Sequence, residues 1–421
     1  MSRSLQRVAS AALLRPLSRR LVLAALLVLA AFRITVLVVA VRQGRLIDAD
    51  RFFAIGHAAG RPYGDFPVEY PPVLVALVKL LALTTPDEHA FTVTIIVISL
   101  IAEASVAVLL WRSWSRETAL WYLTVNTLLL ALFVVRLDLL TVALVTGAIV
   151  ASLRAKPRLA AVCMVLAIGL KLWPLPVALL VLPILAPGDR RKYIVTGLAC
   201  TAVLLASWLA LGGVAGLEQV VSFRGAVGWQ IESFVGSFVR LFTVEPAFSS
   251  AGAQRFGHVP GGVAPAMQLA ALALTVWAVA HVRARRDLGA AWVVSVGGFL
   301  LASTLFSPQF VAWLVPAGAI AWASGDALVA AAVAAVALAT LFENSYYPQL
   351  VAAAPAGTAL LLVRNTALVL AIAAGARRLH RSAGPTYSAV TAPPGLAARR
   401  SVDDAARAPA GEPVRGSPSL Q

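Results

Sequence analysis

Apolar runs recur along nearly the whole chain, separated by short stretches of polar and basic residues. The runs are roughly 15–22 residues long, which suits helices that cross a bilayer, and they lack the alternation typical of membrane β-barrel strands. The pattern therefore predicts an all-α, polytopic membrane protein. We predict about twelve transmembrane helices, covering residues 20–41, 90–111, 117–135, 138–153, 158–170, 172–186, 193–211, 266–282, 288–304, 309–323, 327–342 and 355–376.

Two places in this pattern leave alternatives open. The apolar run 71–84 is short for a span, and we interpret it as a re-entrant or interfacial helix in the first outer loop. Segments 158–170 and 172–186 are also short, and they would equally fit one long helix kinked at Pro174. The positive-inside pattern described next favours two separate segments.

Charge and composition agree with a membrane protein. Only 13% of residues are charged, against about 25% in soluble domains, and the mean hydropathy is +0.85. The net charge of +16 resides mostly in the two tails and in alternate short loops, which is the positive-inside distribution and not a nucleic-acid-binding surface. We therefore expect no nucleic-acid partner, and a multi-pass protein of the bacterial inner (plasma) membrane with both termini cytoplasmic.

The pattern of apolar runs and charges divides the chain into three parts. A basic cytoplasmic N-terminus covers residues 1–19, and a transmembrane domain covers residues 20–376. Residues 377–421 are rich in Pro, Ala, Ser, Gly and Arg without an apolar period, which predicts a disordered cytoplasmic tail. A long segment, 212–265, interrupts the spans and is predicted to lie outside the membrane.

An acidic and aromatic loop follows the first predicted span. Carboxylates near lipid are disfavoured unless they face water, a partner or a substrate. The loop carries four of them, Asp48, Asp50, Asp65 and Glu69, which makes it the first candidate for chemistry. Asp65 and Glu69 would also fit a purely structural role, in which they cap or brace the loop.

Three basic residues on the predicted outer side break the charge bias, namely Arg136, Lys171 and Arg224. They are candidates to hold an anion such as phosphate. Each has a simpler interpretation: Arg136 would pair with Asp138, Lys171 would extend its amine to the interface, and Arg224 would be solvated. The five histidines show no metal-ligand spacing, so we expect no His-rich metal site.

Several motifs, in order between about residues 20 and 320, resemble the GT-C glycosyltransferases, and most closely the polyprenyl-phosphate-mannose-dependent α-mannosyltransferases of glycosyltransferase family 87. The motifs are Asp48-Ala-Asp-Arg-Phe52, Gly60-Arg-Pro-Tyr-Gly-Asp-Phe-Pro-Val-Glu-Tyr-Pro-Pro72, Arg136-Leu-Asp138, Gly169-Leu-Lys-Leu-Trp-Pro174, Arg224 with Gln230-Ile-Glu-Ser233, and Ser307-Pro-Gln309. The first loop and the Ser-Pro-Gln segment are the most specific.

The resemblance implies a GT-C-like fold and an inverting sugar transfer on the outer side of the membrane. The donor would be a polyprenyl-phosphate sugar, with mannose as the expected sugar, and the acceptor an envelope glycolipid or glycan. It places the catalytic base at Asp48, with Asp50 as the fallback, and the phosphate contacts at Lys171, Arg224 and Arg136. The remaining substrate-loop candidates are Tyr63, Asp65, Glu69, Tyr70, Glu232 and Gln309.

A lipid phosphate is already a good leaving group, so one base and nearby cations suffice. We therefore expect that no cofactor is required, and the sequence leaves the question of a divalent metal open. The alternative function is a transporter or flippase of lipid-linked envelope precursors. It would need polar residues along a membrane pathway, and the clear mid-span charges are only Arg33 and Glu103.

Overall fold

The computed structural model describes residues 19–42, 47–222, 226–243 and 245–383. The predicted N-terminal segment up to residue 18, the predicted tail beyond residue 383, and Arg224 lie outside these ranges. Within them the chain is an all-α membrane protein with one small sheet.

Helices form where the apolar runs predict them. In the first half of the chain they are α1 (Arg19–Arg42), α2 (Ile47–His57), α3 (Pro72–Ala82), α4 (Glu88–Ser113), α5 (Arg116–Thr127), α6 (Leu130–Phe133), α7 (Asp138–Leu153), α8 (Pro157–Leu170), α9 (Leu175–Leu180) and α10 (Pro187–Val221). Side-chain caps begin two of them, because Asp87 accepts from the Ala90 amide and Ser115 from that of Thr118.

The second half continues the bundle after a small sheet. Its elements are β1 (Trp229–Gln230), α11 (Phe234–Val239), β2 (Phe248–Ser250), β3 (Ala253–Phe256), α12 (Val263–His281), α13 (Leu288–Leu301), α14 (Val315–Ala323), α15 (Ala327–Ser345), α16 (Tyr347–Val351) and α17 (Pro355–Ala383). The strands pair antiparallel in the order β1-β3-β2, with Gln230 opposite Arg255. The sheet lies in the segment that the sequence predicts to be outside.

Five of the described helices, α4, α10, α12, α15 and α17, are long and apolar enough to cross a membrane. The total of about twelve spans and the GT-C arrangement remain predictions. The segment 71–84 contains the 11-residue helix α3, which is too short to cross. The segment 117–135 breaks after Thr127, and 172–186 contains only α9 and a short 3₁₀ turn.

The alternative of one helix kinked at Pro174 does not occur. Helix α8 ends at Leu170, and Lys171 has extended backbone angles (φ −153°, ψ 146°). Helix α9 begins only at Leu175. This extended break projects the Lys171 side chain from between two helices, and that position matters for the site below.

Buried polar contacts attach the first helix to the bundle. Arg33 forms an ion pair with Glu103, and Asn126 donates a hydrogen bond of 2.6 Å to the other oxygen of the same carboxylate. Arg33 also donates to Thr127 Oγ1 at 3.2 Å. Glu103 of α4 thus makes helix–helix contacts with α1 and α5. The two mid-span charges, those of Arg33 and Glu103, therefore balance each other.

Candidate active site

The predicted catalytic acids lie on helix α2, immediately after the first helix. Its inner face buries Ala49, Phe52 and Ile55. Asp50 is exposed, and its side chain contacts Glu88 at the start of α4. Asp48 is the second residue of the helix, and its side chain lies outside what the structure describes.

Tyr63 anchors the loop after α2 to helix α10. Its hydroxyl donates to the Tyr70 carbonyl at 2.6 Å, and a Cβ added to Gly212 would come within 2.4 Å of the Tyr63 Cβ. Gln219 of α10 donates to the Tyr63 carbonyl at 2.8 Å and accepts from the Val68 amide at 3.2 Å. Only glycine at position 212 permits this close approach. The loop is therefore held at defined positions on α10.

Two predicted substrate-loop acids have different environments. Asp65 is exposed and accepts from the Arg61 amide at 2.7 Å, as a bracing residue does. Glu69 is buried and accepts two hydrogen bonds from the fork of Arg51, at 3.1 Å from Nε and 2.7 Å from Nη2. This carboxylate raises the pKa of Arg51. The pair orients Glu69 beside Tyr70 at the wall of a cavity.

Lys171 forms an ion pair with Asp138. Its ammonium lies 2.8 and 2.7 Å from the two carboxylate oxygens, and the Trp313 indole donates to Asp138 Oδ1 at 2.8 Å. Asp138 is fully buried at the first residue of α7, where the helix dipole favours a negative charge. The structure thus pairs Asp138 with Lys171, so an amine extended to the interface does not describe Lys171.

A cavity of about 1110 Å³ extends from Lys171 between helices α10 and α12. Glu69, Tyr70 and Lys171 line its polar end. Most of the remaining wall is aliphatic, and it includes exposed side chains such as Leu175, Leu198 and Leu272. A cavity of this kind accommodates a long apolar chain that carries one polar end.

Two of the sequence motifs meet next to the segment 303–305, which lines this cavity. Gln230 donates to Ser307 Oγ at 3.0 Å and to the Glu232 carboxylate, while its backbone amide donates to the Thr304 carbonyl at 3.1 Å. Ser303 and Thr304 line the cavity. The Gln-Ile-Glu-Ser motif therefore holds in place the segment that leads to the Ser-Pro-Gln motif.

Glu232 belongs to a buried network of charges. Arg364 donates to the Glu232 carbonyl and pairs with Glu343 at 2.8 Å, and the positive charge of Arg136 lies near Glu232. Burial is the largest influence and raises the pKa of Glu232 to about 8, with the Glu343 charge acting in the same direction. Arg136, predicted as a phosphate contact, thus lies near a carboxylate, and its carbonyl accepts from Ser99 at 2.6 Å.

We expect Glu232→Gln to remove a pH dependence of stability. The folded-state pKa lies above the ordinary value of 4.5, so the stability that Glu232 contributes is complete below about pH 4.5 and is lost as the pH rises toward about 8. The neutral amide cannot ionise. Thermal unfolding of detergent-solubilised protein from about pH 5 to pH 9 measures this. Relative to wild type, the variant should gain stability as the pH rises, whereas Glu245→Gln, at an exposed site, should follow wild type.

Two features of the site escaped the sequence analysis. Arg255 is buried, donates to the Gly228 carbonyl at 2.9 Å and lines the cavity. The sequence signal that could have identified Arg255 is its positive charge in a segment predicted to lie outside the membrane. The Lys171–Asp138 pair joins residues 33 positions apart, and no local pattern specifies it.

The predicted substrate-loop residue Gln309 lies half-buried in the 3₁₀ turn Pro308–Trp313.

The long apolar helices around this largely aliphatic cavity are those of an integral membrane protein. The family model of glycosyltransferase family 87 matches residues 68–308, more than half of the chain. The chain therefore belongs to glycosyltransferase family 87 and is a membrane glycosyltransferase. No curated protein matches it. The matched region begins after Asp48 and Asp50, so their roles remain predictions.

Proposed function

We propose that this protein transfers a sugar from a polyprenyl-phosphate donor to an envelope glycolipid or glycan, and that the sugar is mannose. The observation that carries the proposal is the cavity of about 1110 Å³, which is aliphatic over most of its wall and polar at the end beside the first loop. A polyprenyl chain fits the aliphatic part, and a sugar phosphate fits the polar end. Membership of a glycosyltransferase family favours this function over a transporter or flippase.

Direct displacement at the anomeric carbon would invert its configuration. The acceptor hydroxyl must lose a proton as it attacks, and Asp48, with Asp50 as the alternative, is the proposed base. The polyprenyl phosphate leaves with negative charge and needs cations more than it needs a proton. The proposed cations are Lys171, Arg224 and Arg136, and Arg255 adds one on the cavity wall. The scheme requires no metal or other cofactor.

The proposed location is the bacterial inner membrane, with both termini in the cytoplasm and the first loop outside. The activity test uses membranes containing the protein and radiolabelled polyprenyl-phosphate-mannose. Label should pass to an acceptor with wild type and not with Asp48→Asn. Absence of transfer by well-expressed wild type, with this donor and native envelope lipids present, would contradict the proposed donor.

The orientation gives a separate prediction. Gly64 and Gly261 lie in predicted outer segments, and a side chain at either meets no close neighbour. Single cysteines at these positions, in a background lacking Cys163 and Cys200, should react with an impermeant thiol reagent in intact cells. A cysteine at Lys156, in a predicted inner loop, is the control and should react only after permeabilisation. The reverse labelling pattern would show that the topology is the opposite of the predicted one.

A further inference from the structure

The polar end of the cavity is lined with aromatic rings around one ammonium group. Lys171 Nζ lies 6.0 Å from the centroid of the Tyr70 ring, 5.7 Å from that of Phe310 and 5.9 Å from that of Trp313. Tyr70 and Phe310 are half-buried, and all three rings line the cavity. Cations and ring faces at this separation attract each other, so the rings help to hold the ammonium in place.

The Lys171 charge is already balanced. Two of its three N–H groups point to the two oxygens of Asp138. Among the described residues the third N–H has no acceptor, and the side chain is 14% exposed, on the cavity. A phosphate placed here would meet the Asp138 carboxylate across one ammonium group. A neutral hydroxyl would accept the remaining hydrogen bond without that repulsion.

The Phe310 ring is held rigidly. It stacks on Trp313 with centroids 4.2 Å apart, and Trp313 stacks on Trp173 at 5.0 Å with the ring planes 10° apart. The hydrogen bond from the Trp313 indole to Asp138 fixes the middle ring of this column. A rigid aromatic surface binds at a low cost in conformational entropy, because few side-chain rotations are lost.

We infer that Tyr70, Phe310 and Lys171 form the subsite for the donor's sugar. The C–H face of a pyranose ring would pack against Phe310 and Tyr70, and a ring hydroxyl would accept from Lys171. The phosphate would then lie farther along the wall, toward cations such as Arg255. This inference rests on the proposed function and assigns Lys171 to the sugar instead of the phosphate.

The test compares two lipids in purified, detergent-solubilised protein: polyprenyl-phosphate-mannose and bare polyprenyl phosphate. Phe310→Leu removes the ring but keeps an apolar side chain. It should weaken binding of the mannosylated lipid about 2- to 10-fold, as expected for the loss of one aromatic contact. Its affinity for the bare lipid phosphate should equal that of wild type. Phe310→Tyr, which keeps the ring, should bind both lipids as wild type does.

Phe342→Leu is the matched control, because Phe342 is 49% exposed on α15 and does not line the cavity. Equal losses for both lipids with Phe310→Leu, or no loss for either, would overturn the sugar subsite while leaving the proposed donor intact. Wild-type protein that binds neither lipid would overturn the donor class and the subsite together.

Discussion

Asp48→Asn is expected to lower turnover about 10²- to 10⁴-fold, which is the usual contribution of a positioned general base. The amide keeps the size and polarity of the side chain but cannot accept a proton from the acceptor hydroxyl. Insertion into the membrane and donor affinity should therefore remain those of wild type. Initial rates with labelled polyprenyl-phosphate-mannose and separate donor-binding curves measure the two quantities.

Asp50→Asn, two residues along the same helix, provides the comparison. Asp50 is exposed and its side chain contacts Glu88 at the start of α4. We therefore expect a much smaller effect on turnover. Loss of activity with Asp50→Asn and not with Asp48→Asn would move the base by two residues and leave the mechanism unchanged. Full activity of both variants would show that neither acid is the base.

Lys171→Met is expected to lower the free energy of unfolding by about 3–5 kcal/mol, because it leaves the fully buried Asp138 carboxylate without its cation. From the sequence, one would expect this change to weaken donor use more than folding. In the structure Lys171 also balances the buried Asp138 carboxylate, so a loss of activity in Lys171→Met alone does not identify a donor contact. Thermal or denaturant unfolding in detergent measures the effect on stability.

The double variant Lys171→Met/Asp138→Asn separates the two effects. It removes both charges, so much of the lost stability should return. A double-mutant cycle of wild type, the two single variants and the double variant gives the coupling energy of the pair. Activity that stays low in the restabilised double variant would then report a substrate contact. Lys156→Met, at an exposed position before the same helix α8, should change stability by no more than about 0.5 kcal/mol. A double variant no more stable than Lys171→Met would show that the charges are not coupled.

Several candidate residues predicted from the sequence do meet in the structure. Glu69, Tyr70 and Lys171 line one cavity, and Glu232 lies beside Gln230 and Ser307. Others have contacts that position the backbone. Tyr63 anchors the first loop through the Tyr70 carbonyl, and Asp65 accepts from the Arg61 amide. Residue type and membrane side could be predicted for all of them, but not which would face the cavity.

Most of the helical segments and their membrane character can be predicted from the amino-acid sequence alone. An apolar run of sufficient length must satisfy its backbone groups internally in lipid, and helix formation does so within the run. Prolines and polar residues between runs mark where helices end, as at the break that carries Lys171. These are local properties, so a single sequence is sufficient to predict them.

Which polar groups share an environment depends on how the helices pack, and the sequence alone does not specify it. Arg51 meets Glu69 within one loop, but Lys171 meets Asp138 across two helices, and Gln230 meets Ser307 across 77 residues. Buried charges must find partners, because an unpaired charge is costly away from water. The sequence allows many different pairings of its acidic and basic residues, and only the packing of the helices selects among them. That packing made Lys171 half of a neutral pair beside three aromatic rings.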